Sequence, residues 1–332
     1  MGKHTEGSKF MLVILVWFVG FQFVSVTPVA ILGELGIWDM NLILQSPWFI
    51  IAMQLGGLIL PLVVWSRIKK ESLLAHLPRQ KLSGISILII VVLGFLLQPA
   101  MMTISGISSL FFPNLVSEMI YTFMEQPLWL ILLASAVTPA VCEELVFRGY
   151  IQTKHGVFPI RKAALLNGLF FGIIHLNLQQ FAYAFALGAI FAYMVHYTKS
   201  IWAGILPHFI INASQGILGR LVFLIEPTEV ASPSTGLSAE AQAILVMGSI
   251  TILLMPVIII LFRMLKKHSK RCDDAPTPIT DTNTYNTFGE QSPPHDFPET
   301  TRHYTHDPYF KAIIIVFLIL VTMFSIIPLI SP

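Results

Sequence analysis

"VCEELVFRGY" occupies residues 141–150, at the end of a long apolar run. Two adjacent carboxylates and an arginine in that place admit two readings: the point where a helix leaves a membrane, or the polar end of a buried site. On a helix, Glu144 and Arg148 are one turn apart on a common face and can pair. Glu143 is turned about 100° away, on the face of Phe147. One carboxylate is then neutralised while the other stays free. Pro139, one turn before Glu143, removes a backbone hydrogen bond and is expected to kink the helix just ahead of the carboxylates. Cys142 reads as a small apolar core residue rather than a thiol nucleophile.

The chain around this stretch is strongly apolar. Of 332 residues, 55% are apolar and 11% charged, and the mean hydropathy is +0.75. Soluble domains carry about 25% charged residues, so the composition indicates an all-α, polytopic membrane helix bundle. A net charge of +2 excludes a face able to track phosphates, and with it nucleic acid as a partner. Two cysteines, Cys142 and Cys272, cannot build a disulfide framework. The first apolar stretch, Phe10 to Leu32, follows Lys3 and Lys9 as a signal peptide would. Its apolar core is longer than such a segment needs and no clean small-x-small site follows, so it reads as a retained anchor.

A membrane crossing takes about 20 apolar residues. Candidate spans are about 10–32, 47–66, 83–104, 127–147, 162–177, 178–197, 201–223, 241–262 and 311–330. The fifth is short enough to be a broken or deeply buried helix, so eight or nine crossings are expected. Basic residues collect in loops 66–81, 148–162, 196–200 and 263–271, whereas the alternate loops 33–46, 105–126 and 224–240 hold acidic residues but no lysine or arginine. Because lysine and arginine accumulate on the cytoplasmic side, the N-terminus is expected in the cytoplasm. Residues 268–310 are polar and proline-rich without apolar periodicity, and read as a disordered cytoplasmic linker before the last helix. His295, His303 and His306 there, with Asp296 and Asp307, read as parts of a solvated tail rather than a metal site. The absence of an obvious internal repeat counts against a transporter.

Ionisable groups in hydrocarbon cost about 2.5–3.5 kcal/mol each on insertion scales, and those that remain usually face a cavity and serve a function. Of ten histidines, only His175, His196 and His208 touch an apolar span, and His196 adjoins a basic loop. Three patterns organise the buried polar groups: "EELVFR" (143–148), "FFGIIH" (170–175) and "HFIIN" (208–212). Phe171 and His175 are one turn apart, as are His208 and Asn212, so each pair offers one direction toward a common cavity. Alone, each has a bland explanation: an interfacial charge cluster, or a histidine bonded to a neighbouring carbonyl. Asn212-Ala-Ser214 also fits a glycosylation sequon, in surroundings too apolar for that use. All three patterns in successive apolar segments point to a catalytic constellation.

In these residues the chain resembles the CPBP family of intramembrane peptidases, which comprises CAAX prenyl proteases, bacteriocin-processing enzymes and abortive-infection proteins. The family pattern is EExxxR, FxxxH and HxxxN on successive membrane helices, and the resemblance covers about residues 127–220. It implies an endopeptidase acting on prenylated CAAX-type or leader-type peptides delivered from the membrane. It implies Glu143 as general base acting on water with His175, His208 and Asn212 as oxyanion donors, and Glu144, Arg148 and Phe171 as residues that hold the site in shape. Removing one oxyanion donor elsewhere costs about 2.7–4 kcal/mol. Glu143, His175 and His208 also match a two-histidine, one-glutamate zinc set, although no HExxH pair is present. Direct activation of water by Glu143 is the preferred reading of the two. The partners implied are membrane lipid and a membrane-delivered peptide, in a bacterial inner (cell) membrane. A non-enzymatic scaffold or proton-coupled transporter using the same buried network is the alternative.

The resulting division is residues 1–126 as N-terminal membrane helices, 127–223 as the catalytic membrane core, 224–267 as a loop and further span, 268–310 as linker and 311–332 as the last span. Gly168 and Gly172, with Ala182, Ala186, Gly188, Ala189 and Ala192, are expected to let two helices of the core approach closely. Depth is the difficulty, because His175 lies some 20 Å along its helix from Arg161 at 1.5 Å per residue while Glu143 is only about 8 Å from Arg148. Either the fourth helix continues past Tyr150, with Gly156 and Pro159 ending it, or the fifth tilts and breaks.

Overall fold

The computed structural model describes residues 5–112, 123–156, 158–225, 238–273 and 307–330. Among these residues there is no β-strand, and the chain is built from long helices: α1 (Glu6–Glu34), α2 (Pro47–Lys69), α3 (Gly84–Ser109), α4 (Leu128–Lys154), α5 (Ile160–Ile174), α6 (Leu178–Thr198), α7 (Trp202–Leu224), α8 (Ala239–Asp273) and α9 (Pro308–Ile330). They coincide with the segments marked by apolar runs. Six, namely α1, α2, α3, α4, α6 and α8, are long and apolar enough to cross a membrane by length and composition. The loops at 113–122 and 226–237, His295, His303, His306, Asp296 and most of the polar linker, 274–306, lie outside the described residues, and α8 runs through to Asp273.

Helix α4 is the centre of the bundle, with two thirds of its most apolar stretch buried. It is not a uniform α-helix. Leu133–Val137 and Leu145–Ile151 are π-helical, and the first of these absorbs the disturbance expected at Pro139. The Thr138 hydroxyl donates to the Leu133 carbonyl at 2.7 Å there. π-turns widen a helix locally and recur at functional sites. The helix continues past Tyr150 to Lys154 before Gly156, which is the first of the two solutions to the depth problem.

Helices α5 and α6 form the closest pair. A methyl group on Gly168 would lie 2.5 Å from the Phe185 carbonyl oxygen, and one on Gly188 would lie 2.7 Å from the Gly168 Cα. The small-residue faces read from the sequence therefore do bring the two backbones together. The turn between them is tight: Leu176 has φ of 51°, a conformation costing an L-residue about 1–3 kcal/mol, directly after His175. Asn177 then starts α6, its carboxamide oxygen accepting from the Gln179 and Gln180 amides at 2.9 and 3.4 Å. Against α4, α6 offers two backbone carbonyls one turn apart, Gly188 and Ala192, which receive Arg148 and Gln152 at 3.2 and 2.9 Å.

The basic loops meet at one end of the bundle, as the charge pattern requires. Arg79 pairs with Ser200 in an isolated β-bridge, and the Ile201 amide donates to the Pro78 carbonyl at 2.7 Å. Lys154 reaches Glu71 at 2.8 Å and Glu6 at 3.4 Å, and Lys69 reaches Glu6 at 2.9 Å. Ser83 and His268 lie 2.8 Å apart at this end as well. The outer helices are seated on aromatic contacts, Phe10 edge-on to Tyr150 at 4.5 Å and Phe317 stacked on Phe181 at 5.5 Å.

At the seam of α1, α4 and α5 lies His155, fully buried against Gly7, Phe158 and Phe170, with Phe310 of α9 packed on Phe170, and with neither ring nitrogen hydrogen-bonded among the described residues. Burial pushes its imidazole down to about 4. An unfolded histidine titrates near about 6.5, so between these values the unfolded chain holds more protons and stability rises with pH. The contribution is complete above about 6.5 and is lost as pH falls toward 4. His155→Phe is therefore expected to flatten the fall in melting temperature between pH 6.5 and 4; a slope identical to the parent's in detergent would show that His155 is not buried as a neutral ring.

Candidate active site

Each of the three motifs lies on a different helix. Glu143, Glu144 and Arg148 come from α4, Phe171 and His175 from the end of α5, and His208 and Asn212 from α7. Arg148 is fully buried, and its Nη1 donates to Glu144 Oε1 at 2.7 Å. The pairing read from the spacing is thus present, inside the π-turn rather than on a regular α-helix. The guanidinium also lies 4.4 Å above the Phe171 ring and 5.4 Å from Phe191. A cation over an aromatic face is attracted by the ring quadrupole, which helps an ion with no access to water.

Glu144 Oε1 accepts a second hydrogen bond, from His208 Nδ1 at 3.0 Å. This bond fixes the ring so that Nε2 faces Glu143, whose Oε2 is 3.8 Å away. That separation is too long for a direct hydrogen bond, and a water touching both groups would bridge them from the side rather than sit between them. His175 is oriented in the same manner. Its Nδ1 donates to the Phe171 carbonyl at 2.7 Å, so its Nε2 carries the lone pair. Phe171 stands edge-on between the two imidazoles, with ring centres 5.1 Å from His175 and 5.8 Å from His208. Asn212, one turn after His208, is half-buried. Asn167 closes the inner side, its carboxamide nitrogen donating to the Phe147 carbonyl at 2.8 Å.

Glu143 has a neutral partner that spacing alone does not show. Gln54 of α2 donates to its Oε1 at 3.0 Å, and the carbonyl end of Gln54 is buried without a hydrogen-bond partner among the described residues. Gln54 is a site residue missed from sequence, its only signal being an amide inside an apolar run. Tyr183 of α6 also lies within electrostatic reach of Glu143. Among the described residues, no three His, Cys, Asp or Glu side chains converge closely enough to hold a metal ion.

Residues 125–214 match the model of a family described as "Type II CAAX prenyl endopeptidase Rce1-like". The chain is also similar to a Bacillus subtilis (strain 168) protein described as "Putative membrane peptidase YdiL", 31% identical over 87 residues, which is 25% of this chain and 34% of that protein. The chain thus matches about a third of the length of that curated relative. No solved structure matches the chain significantly.

Glycine at 204 is set by the same pair. A methyl group there would lie 2.2 Å from Glu144 Oε2. Gly204→Ala must displace the carboxylate that holds both Arg148 and His208, and a loss of about 1–3 kcal/mol is expected from overpacking of this kind. Thermal unfolding in detergent measures it; an unchanged midpoint would mean that the carboxylate is not seated against α7. The motifs and their geometry fall in residues 125–214, the segment that is similar to the Rce1-like family.

Proposed function

We propose that this protein is an intramembrane endopeptidase in which Glu143 activates water against a peptide carbonyl. The observation that carries the reading is the 3.8 Å gap between Glu143 Oε2 and His208 Nε2, each held in place from behind by a separate hydrogen bond. A water bridging these two groups from the side gives its proton to Glu143 as its oxygen attacks the carbonyl carbon, with His175 assigned as the assisting base. The charge that develops on the carbonyl oxygen is met by Asn212 and His208. With Nδ1–H given to Glu144, donation from Nε2 as well requires the imidazolium, whose charge then sits between two carboxylates. Collapse breaks the C–N bond, and the proton taken by Glu143 passes to the leaving amine. Every step uses side chains of the chain itself.

The substrate class is a peptide presented from the membrane, of the CAAX type that the family's description names or of a leader type. The basic end of the bundle faces the cytoplasm in this reading, and all nine helices belong to the membrane-embedded body.

Glu143→Gln is expected to lower cleavage of a membrane peptide by about 10²–10⁴-fold with the fold retained. Gln54→Leu removes a hydrogen bond to a charged group, worth about 1.5–3 kcal/mol, and should lower kcat about tenfold or more at unchanged KM. Assays in proteoliposomes with prenylated CAAX and leader peptides, beside a thermal-stability control, read both effects. Parent-like turnover by Glu143→Gln on the peptides that the parent cleaves would exclude the mechanism.

A further inference from the structure

Helix α2 widens in a π-turn at Leu55–Ile59, directly after Gln54. Pro61 stands two residues beyond it, as Pro139 stands two residues beyond the π-turn Leu133–Val137 of α4. The turn leaves a carbonyl in need of a donor. The Leu60 amide donates to the Leu55 carbonyl, one residue further back than in an α-helix. The Gly56 carbonyl would receive Leu60 in an α-pattern or residue 61 in a π-pattern. The first is taken by Leu55, and the second is a proline without an N–H. In α4 the Thr138 hydroxyl donates into the equivalent turn at 2.7 Å, but its counterpart in α2 is Leu60, which has no side-chain donor.

The donor comes from α1. Trp17 Nε1 gives its hydrogen to the Gly56 carbonyl at 2.9 Å. Phe21 and Phe18 of the same helix cover the glycines of the turn: a methyl group would lie 2.2 Å from Phe21 Cζ on Gly56 and 2.6 Å from Phe18 Cδ2 on Gly57. Tryptophans commonly anchor helices at the membrane interface, with the indole N–H turned to the wet side. Trp17 stands about 17 Å along α1 from Glu6, and its N–H is given to the backbone of another helix.

The π-turn separates two points at which α2 is fixed to α4. On one side Gln54 donates to Glu143 at 3.0 Å, and on the other Trp65 donates to the Tyr150 hydroxyl at 2.9 Å. A π-turn holds one residue more than the α-turn it replaces, and one residue is about 100° of rotation. Loss of the turn would swing the two halves of α2 against each other by that angle. Trp65 is buried against Phe10, so the half that moves is the one carrying Gln54. We infer that Trp17 is a positioning residue for the site: by closing the Gly56 carbonyl it holds the π-turn that aims Gln54 at Glu143. The inference rests on the peptidase reading above and extends control of the site to α1, which supplies none of its motif residues.

Trp17→Phe keeps a ring and removes the N–H. In proteoliposomes, with whichever of the prenylated CAAX and leader peptides the parent cleaves, it is expected to lower kcat about two- to tenfold at unchanged KM. The same change made in Gln54→Leu should cost less than about twofold, because two residues acting in series are not additive. Pro61→Ala supplies the missing N–H and should return Trp17→Phe toward the parent. Hydrogen exchange of amides 52–60 in detergent reads the turn without any turnover; it should quicken in Trp17→Phe and slow again with Pro61→Ala. Trp48→Phe, on an exposed face of α2, should change neither readout. Parent-like kcat or parent-like exchange in Trp17→Phe, or a loss that adds in full to that of Gln54→Leu, would overturn the inference and leave the peptidase reading standing. Parent-like turnover by Glu143→Gln strikes that reading instead, and the exchange then decides by itself whether Trp17 holds the turn.

Discussion

A guanidinium sealed from water governs this bundle. Moving such an ion out of solvent costs several kcal/mol even after relaxation, and only close partners on every side offset it. Arg148 finds them on separate helices: the Glu144 carboxylate of its own helix, the Gly188 carbonyl of α6, the Phe171 face of α5 and the Phe191 face of α6. The carboxylate that neutralises it also takes the Nδ1–H of His208 from α7. Four helices are thereby held to one point, and the orientation of His208 follows from meeting the needs of Arg148. This couples stability to the site, because the residue that fixes the imidazole is the one whose loss leaves a charge buried and unpaired.

Such closeness depends on backbone that can approach. Gly188 must lack a side chain for its carbonyl to reach Arg148 across the contact with Gly168, and Gly204 must lack one for Glu144 to fit against α7. The two π-turns of α4 serve the same end from the other side, by changing the direction in which residues after Leu145 project. Strain is confined to the hinge: Leu176, in the left-handed region, turns the chain sharply after His175 and leaves that imidazole at the end of α5, pinned by the carbonyl one turn before it.

Much of this could be read before any coordinates. Glu144 with Arg148, Phe171 with His175 and His208 with Asn212 stand out because helical spacing and the cost of buried charge are local rules, and the sequence contains few buried charges to confuse. The glycines and alanines of α5 and α6 are legible for the same reason. What escaped was non-local. Gln54 meets Glu143 across 89 residues of chain, and a lone amide in an apolar run carries no periodic signal. The shared use of Glu144 Oε1 by Arg148 and His208 depends on how α7 lies across α4, which no spacing encodes. The π-turns have no residue signature either, and the helical wheel, which set Glu143 on the face of Phe147, says nothing of the α2 side chain that meets it.

That cover bears on how the chain divides. The matched segment, residues 125–214, supplies every motif side chain, yet it does not close its own site. The Glu143 carboxylate is completed by Gln54 from α2, outside that segment, and the seam beside α4 is filled by Phe10 of α1 and packed on by α9. A hydrogen bond donated to a carboxylate alters both its charge and its direction, so the residue at position 54 sets conditions for Glu143 without belonging to the motif. The outer helices are thus a second layer of control: substitutions there can change how the site works while the three motifs stay intact. A match confined to the core covers the motif side chains, and the shell around them completes the setting in which they act.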